Sequence, residues 1–413
     1  MSDLNEAALH KYTLYGSAFK ADPYPVLRSL RSEGPVCPLM GITGANKVWF
    51  VSHYKEARQV LRDHKRFVSD IRNTFTPEQK ANPPPVPRLE RYLRLHVMRR
   101  DREEHTRLRN LLRPAFDKRA VDQMRPRIEH LAETLLDAVQ DQHQMDLIED
   151  FAFPLPWQII LEVIGLPTDC DHLSCFRRWI EAVTIYPNDV ITPQERLEAR
   201  VEFITYLRAC FDARRANPQN DLMTHFVRAV QEGRLRKEEF FSMTTFLLIA
   251  GHDTIMRMIG NSMLALFQHP EQLNMLKEHP MMLERTIEEL LRYDGSAERS
   301  TTRFAAEDLE LEGQQISRGD TVIVILTSAN RDERVFENPD VLDYTRQARS
   351  HLSFGYGPHF CVGASLARLE IKIAIETLLR RLPRLRLAVP VETLEWVTIP
   401  IVRGLRSMPV RWD

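Results

Sequence analysis

No run of about 18 apolar residues occurs in this chain, so a membrane-spanning helix is not expected. A basic segment leading into an apolar stretch is equally missing from the N-terminus, MSDLNEAALHKYTLYGSAFKADPYP, which speaks against a secretory signal. A soluble, cytoplasmic protein without a membrane anchor is expected. Cysteine is sparse, and Cys37, Cys170, Cys175, Cys210 and Cys361 are scattered, odd in number and free of any C-x-x-C pair. That pattern argues against a disulfide framework or a zinc site and suits a reducing compartment. Charge of one sign is also lacking, since 56 Lys and Arg against 57 Asp and Glu leave a net charge of −1. Nucleic acid is therefore not expected as a bulk electrostatic partner.

What is present is an ordinary globular composition, 43% hydrophobic and 27% charged, able to enclose a large core and a buried cofactor. Apolar periodicity predicts helices over Tyr54–Asp63, His105–Phe116, Ala120–Asp141, Leu155–Gly165, Glu195–Ala216 and Lys237–His269. It continues over Pro270–Glu278, Met281–Tyr293 and Val362–Leu382. Strand signals are few: Lys47–Val51, Thr301–Phe304, Leu309–Leu311, Thr321–Leu326 and two late segments, Leu394–Ile399 and Pro409–Trp412. The fold class is therefore mainly α with small β-sheets (α+β). No repeat or low-complexity tract divides the chain, which reads as one catalytic domain over residues 1–413 with a loosely ordered segment over 1–22. The Pro-rich piece ANPPPVPR lies in an irregular region between Asp70 and Met98, long enough to be functional or disordered. Arginines cluster at Arg99, Arg100, Arg102, Arg107, Arg109 and Arg113, beside Asp101, Glu103 and Glu104. They form either a balanced solvated face or a docking patch.

The most informative stretch is His351–Glu370, HLSFGYGPHFCVGASLARLE. Phe354, Gly355 and Gly357 precede Cys361, Gly363 follows it, and an apolar helix runs on. A turn that brings one cysteine to a helix N-terminus favours the thiolate, through oriented N–H groups and the dipole. Glycines there let the backbone pass close to something flat and bulky. By itself such a cysteine is more often an inert buried thiol. Within the helical stretch Phe246–Ser262, Gly251 stands next to Asp253 and Thr254 among Leu248, Ile249, Ile255 and Ile259. Glycine weakens a helix by about 1 kcal/mol and threonine can bond back to the preceding turn, so a local opening that holds water is possible. An incidental glycine in an amphipathic helix is the plainer alternative. Glu289 and Arg292, at i,i+3, can pair on a helix face, as many surface pairs do.

The spacing Phe-Gly-x-Gly-x-His-x-Cys-x-Gly resembles the haem-binding loop of cytochromes P450, soluble bacterial type. Ala250-Gly251-His252-Asp253-Thr254 is similar to that family's oxygen-binding stretch, and Glu289-Leu290-Leu291-Arg292 to its Glu-x-x-Arg motif. The resemblance covers about Pro23 to Val410 and includes His105-Thr106-Arg107-Leu108-Arg109. It implies the cytochrome P450 fold, haem b with Cys361 as the iron ligand, and cofactor contacts from Phe354, Gly363 and Ala250. It implies that Thr254 stabilises bound dioxygen and that Asp253 helps relay protons. Glu289 and Arg292 would join Arg346 in a structural lock. The two haem propionates need charge-assisted partners, and His105, Arg109, Arg303 and His359 match the positions that hold them. Two departures stand out: Asp101-Arg102-Glu103 replaces the usual Asp-x-Pro, and Asp294-Gly295-Ser296 lacks the usual proline.

A thiolate ligand favours O–O cleavage over oxygen carriage. The resemblance thus implies a monooxygenase, an oxidoreductase that inserts one atom of O2 into a C–H bond, by hydroxylation or epoxidation. No bound flavin is expected, because the chain lacks room for a flavin domain and has no G-x-G-x-x-G after a strand. An external ferredoxin or flavodoxin with its NAD(P)H reductase should supply electrons, docking near Arg107 and Arg113. The motif set looks closest to polyketide- and macrolide-tailoring members acting in secondary metabolism, with fatty-acyl, terpenoid or steroid hydroxylases as the alternative. A peroxygenase or haem-thiolate sensor is disfavoured by the Asp253-Thr254 pair. Substrate contacts are expected from Phe246, Ile249, Ala297, Arg299 and Ile401, within a pocket bounded also by Asp70–Met98 and Ile180–Val190. Glu298 and Arg299 are unusual there. They either pair or face solvent, or Arg299 meets a carboxylate or polyol of the substrate.

Overall fold

The computed structural model describes residues 14–40, 47–168, 173–183, 192–346 and 350–412. Cys170 and most of the Ile180–Val190 stretch lie outside them. Helices dominate, and their apolar faces sort into two large cores. One joins Lys118–Asp137, Asp253–Gln268, Leu283–Asp294 and Ala364–Arg381 through Ile128, Leu131, Ile259, Leu290, Ile371 and Ile375. The other joins Arg102–Phe116, Pro154–Ile164, Leu173–Val183, Pro193–Ala216, Leu222–Gln231 and Lys237–Ala250 through Leu108, Trp157, Phe176, Phe203, Phe240 and Leu247. The single long helix expected over Lys237–His269 is two helices, interrupted at Gly251-His252. The interruption falls where the chain passes from one core to the other.

The strands are short. β1 (Val36–Met40), β2 (Lys47–Val51), β3 (Phe67–Val68), β5 (Arg303–Ala305) and β8 (Thr321–Val324) form a five-stranded sheet ordered β1-β2-β8-β5-β3. β2 and β8 run parallel, with Val48 opposite Thr321. β4 (Gln144–Asp146), β10 (Pro409–Arg411) and β9 (Arg386–Leu387) make a three-stranded sheet, and β6 (Leu309–Leu311) pairs with β7 (Gln314–Ile316). The two late strand segments, Leu394–Ile399 and Pro409–Trp412, do not pair with each other, because β10 pairs with β4 and β9. Leu394–Ile399 forms an isolated bridge, Trp396 to Leu405. The Asp70–Met98 region is not one loop, since it holds the helices Pro77–Ala81 and Arg88–Arg94. The N-terminal segment is packed from Leu14 onward, with Leu14 and Lys20 fully buried.

A buried ion pair braces the segment before the cysteine loop. Arg292 donates to both oxygens of Glu289, at 2.8 and 2.7 Å, and neither side chain reaches solvent. Arg292 also donates to the carbonyls of Asn330, Pro339 and Val341, at 3.0, 2.8 and 3.2 Å. Glu289 accepts from the Asp343 N–H at 3.1 Å and from Arg346 Nε at 3.3 Å. Asn330 and Ser353 continue the chain of contacts: Asn330 accepts from Leu352 N–H at 2.6 Å, and Ser353 Oγ donates to Leu291 O at 2.6 Å.

Glu370, on the helix that follows the cysteine, is buried with both carboxyl oxygens unpartnered. Burial raises its pKa well above the ordinary carboxylate value of 4.5. The native state thus holds its proton to higher pH than the unfolded chain does. The group contributes a destabilisation that grows by about 1.4 kcal/mol per pH unit above its unfolded pKa, until the folded pKa is reached. Glu370→Gln is expected to raise the unfolding midpoint at pH 8 and to lose that advantage towards pH 5. A pH-independent difference in thermal scans is the contrary result.

Candidate active site

The cysteine loop is built by two left-handed turns. Gly355 and Gly357 have φ of +72° and +75°, and a Cβ on Gly357 would lie 2.5 Å from the Leu61 carbonyl oxygen. These turns bring the Cys361 N–H to the Phe354 carbonyl at 2.9 Å and start the Ala364–Arg381 helix at Gly363. Gly363 is different, for its φ of −86° is ordinary and a Cβ there would meet only the Phe116 ring, at 3.8 Å.

Cys361 is exposed, yet surrounding protein pushes its thiol pKa up, against the Gly363 N–H, Arg109 and Arg368, which pull it down. Exposure of the residue and desolvation of its charged form coexist at this position. The expectation that the helix start would favour the thiolate is thus outweighed by burial in the polypeptide alone. A metal ion bound to the sulfur would reverse that balance, since coordination deprotonates a thiol outright.

Phe354 is held by Arg368, whose guanidinium lies 4.4 Å from its ring centre. Arg368 in turn pairs with Glu288 at 2.6 and 2.9 Å, and His351 lies 3.4 Å from the same carboxylate. Burial works against the Glu288 charge, but His351 and Arg368 pull its pKa down to about 2. These three braces carry no local sequence signal, because Glu288 and Arg368 come from helices far apart in the chain.

Four donors gather beside the loop. His105 and His359 pack with ring centres 4.2 Å apart, Arg303 sits behind them, and Arg109 donates to the Phe360 carbonyl at 2.7 Å. Burial and the neighbouring cations push His105 to about 4 and His359 to about 2, and burial lowers Arg303 to about 10. His105 Nε2 and His359 Nδ1 are buried without a partner. The nearest carboxylate, Asp101, lies 4.0 Å from His359 and is itself engaged by the N–H groups of Ser69 and Asp70, both at 2.9 Å. An accessible cysteine, two guanidiniums, two imidazoles with an unpartnered nitrogen each and so little negative charge fit an anionic prosthetic group such as haem with its two carboxylates.

The helix interruption lies where the two cores meet. A Cβ on Gly251 would sit 2.5 Å from Ile160 Cδ1, so close helix packing requires this glycine. Ala250 is exposed although its helix is otherwise buried on most faces. Thr254 Oγ1 donates to the Ala250 carbonyl at 3.2 Å, and Asp253 accepts from Arg257 at 2.6 Å. Ser296, in the stretch lacking the usual proline, donates to the Thr254 carbonyl at 2.7 Å. Val362 and Ile249 pack against the second core, and Phe354 against the first, so the cysteine and the interruption share the seam between them.

Of the expected substrate contacts, Phe246 stacks on His96 at 4.7 Å with rings 2° from parallel. Ala297 bridges to Val402, and the Ile401 carbonyl accepts from Glu298 N–H at 3.0 Å. Arg299 does not belong with them. It is buried, donates to Glu298 at 3.0 Å and to the Leu14 carbonyl at 2.6 Å, and lies over Phe50 at 5.2 Å. Glu298 is shared with Lys20 at 2.6 Å, so the charged pair is an internal anchor for the N-terminal segment. Arg107 likewise departs from the docking patch, because it pairs with buried Glu239 at 2.7 and 3.0 Å. Arg113 is exposed.

A sequence profile of the family described as Cytochrome P450 matches residues 171–388. Cytochrome P450 monooxygenase PikC of Streptomyces venezuelae is 39% identical over 401 residues, 96% of this chain and 92% of that protein. The structure of myxobacterial cytochrome P450 CYP267B1 in complex with myristic acid superposes with a TM-score of 0.89 at 37% identity, covering 97% and 98% of the two chains. The Bacillus subtilis bacillaene polyketide synthase cytochrome P450 PksS superposes with a TM-score of 0.88 at 33% identity, over 97% and 100%.

Gly357→Ala places a Cβ against backbone and forces a left-handed conformation that costs about 1–2 kcal/mol. The expected outcome is a displaced cysteine loop, read as a lower haem-to-protein ratio in the purified variant. Full haem content would contradict the packing argument.

Proposed function

Because the chain belongs to the cytochrome P450 family and is a monooxygenase of that family, we propose that it oxidises a large, neutral lipophilic molecule of polyketide or macrolide type. The reaction is insertion of one oxygen atom from O2 into a C–H bond, by hydroxylation or epoxidation. One observation supports the site assignment above the others: the accessible Cys361 lies beside Arg109, in the same loop as His359, which packs on His105 and feels the Arg303 charge, with almost no opposing carboxylate. In this reading Cys361 ligates the iron of haem b, while Arg109, Arg303, His105 and His359 hold its propionates. Phe354, Gly363 and Ala250 border it. When bound, the haem supplies oxygen activation, driven by electron density from the sulfur.

The remaining tasks fall to the protein. Thr254 Oγ1, now turned to the Ala250 carbonyl, releases that bond to donate a proton into the recess. Asp253 restores the proton from solvent. Phe246, Ile249, Ala297 and Ile401 form an apolar wall that excludes water and orients substrate. With Arg299 committed to Glu298 and Leu14, none of these four wall residues carries a charge, which favours a neutral substrate. The name of the bacillaene polyketide synthase cytochrome P450 PksS supports the polyketide class. Myristic acid in the CYP267B1 structure supports fatty-acyl oxidation as the second reading. Haem spectral titration with a macrolactone and with myristic acid separates the two.

Electrons come, in this reading, from an external ferredoxin or flavodoxin with its NAD(P)H reductase. A groove beside the cysteine loop is lined by Lys55, Arg58, Arg62, Lys65 and Tyr356. Arg58 donates to the Tyr356 hydroxyl at 2.6 Å, and no carboxylate pairs with Lys55, Arg62 or Lys65 among the described residues. This cationic surface suits an acidic partner better than Arg107 does.

Cys361→Ser is expected to abolish the thiolate signature of the reduced-CO difference spectrum, and its persistence would sink the ligand assignment. Reversing Arg58 and Arg62 to Glu should slow reduction by an acidic ferredoxin about tenfold or more at low salt, with little effect at high salt. Stopped-flow reduction at two ionic strengths measures this, and unchanged rates would remove the groove as the docking site.

A further inference from the structure

We propose that Arg257 is a positioning residue for Asp253, and that residue 404 is glycine so that Arg257 can occupy its place. The inference rests on the relay reading of Asp253 and Thr254. Asp253 is the first residue of its helix after the interruption. Arg257 follows one turn later, with its guanidinium 2.6 Å from Asp253 Oδ1. This acid-before-base order at i,i+4 is the favourable one on a helix. It is not a surface pair, because the Arg257 side chain is only 7% exposed while Asp253 is 26% exposed. The arginine is therefore set inside the protein and the carboxylate faces outward from it.

The stem of Arg257 is confined by the loop that crosses it. A Cβ on Gly404 would lie 2.6, 2.6 and 2.9 Å from Arg257 Cβ, Cγ and Cδ. That loop is fixed on both sides: Val397 N–H donates to the Gly404 carbonyl at 3.0 Å and Arg403 N–H to the Ser296 carbonyl at 2.8 Å. Asn261, on the helix of Arg257, donates to the Arg403 carbonyl at 3.2 Å. The Arg257 stem therefore occupies the space that any side chain at 404 would need.

No other cation pairs with Asp253 among the described residues. His252 meets Phe153 and Trp157 edge-on, at 4.5 and 5.1 Å between ring centres, and burial lowers it to about 4, leaving it neutral at physiological pH. Arg177 lies over Phe153 and pairs with Glu149 at 2.6 Å, while Arg403 pairs with Asp294 at 2.8 Å. Holding Oδ1 leaves Oδ2 to exchange protons without rotation of the carboxylate. A proton taken from water at Oδ2 replaces the one that Thr254 Oγ1 gives up, so neither residue changes charge over a cycle.

The test uses haem-loaded protein, excess plant-type ferredoxin with its NADPH reductase, and myristic acid as probe. NADPH oxidation is timed in H2O and D2O, beside the Soret-shift Kd and the thermal midpoint. Arg257→Met keeps the stem and removes the ion pair. It should slow oxidation by about 5- to 20-fold and enlarge the solvent isotope effect, with Kd and midpoint unchanged. Arg257→Lys should recover the rate to within about threefold, and Asp253→Asn should be slower than Arg257→Met. The double variant should match Asp253→Asn, as expected of residues acting as a unit. Gly404→Ala, which displaces the stem, should shift the rate in the same direction and substitutes for Arg257→Met if that variant fails to fold. If Arg257→Met keeps the wild-type rate and isotope effect while Asp253→Asn is slow, the positioning role fails and the relay stands. A slow Arg257→Met with an unchanged isotope effect, or with a weakened Kd or midpoint, also overturns it by showing a purely structural role. A wild-type rate in Asp253→Asn overturns the relay itself, and the inference with it.

Discussion

The buried pair of Glu289 and Arg292 is the constraint on which the rest of the site depends. Two ions removed from water are costly, and their attraction offsets that cost only when the remaining donors and acceptors are satisfied. Here the other Arg292 bonds go to three carbonyls from Asn330 to Val341, and Glu289 also receives Asp343 N–H and Arg346. Satisfying the pair therefore fixes the path of the chain after the sheet. Asn330 and Ser353 pass that order to the start of the cysteine loop. Removing one partner of such a pair typically costs about 3–5 kcal/mol, because a bare charge is left behind.

The second constraint is the seam between two apolar cores. The long helix changes cores at Gly251-His252, where Ile160 fills the space a side chain would need. The cysteine loop arrives at the same seam from the other side, with Val362 packed on one core and Phe354 on the other. Rigid packing on both sides leaves a recess whose walls are set by helices. His105 Nε2 and His359 Nδ1, beside the cysteine loop, are among the buried polar atoms left without a partner.

Much of this was legible in the sequence because it is local. Apolar periodicity located most of the helices near the site, and the glycines at 355 and 357 marked turns that their positive φ values require. The Glu289 and Arg292 spacing placed both on one helix face. Charge assignments were less legible. Arg299 and Arg107 look available along the chain, yet each meets a buried carboxylate from elsewhere in the fold. Ser296, Glu288 and Arg368 look unremarkable in sequence, yet they hold Thr254 and Phe354 through contacts spanning 42 to 80 positions.

The sequence by itself determined the chemistry on offer: one cysteine after paired glycines, an Asp-Thr pair in an apolar helix, and a set of Arg and His residues. Spacing along the backbone carries that information, because turns and helix faces depend on near neighbours. Tertiary structure alone decided which charges remain free to meet a ligand and which are neutralised inside the protein. It also decided that the Cys361 sulfur is desolvated and that Arg257 lies trapped beneath Gly404. Burial and long-range pairing determine the energy of a charge, and neither is a property of any local stretch of residues.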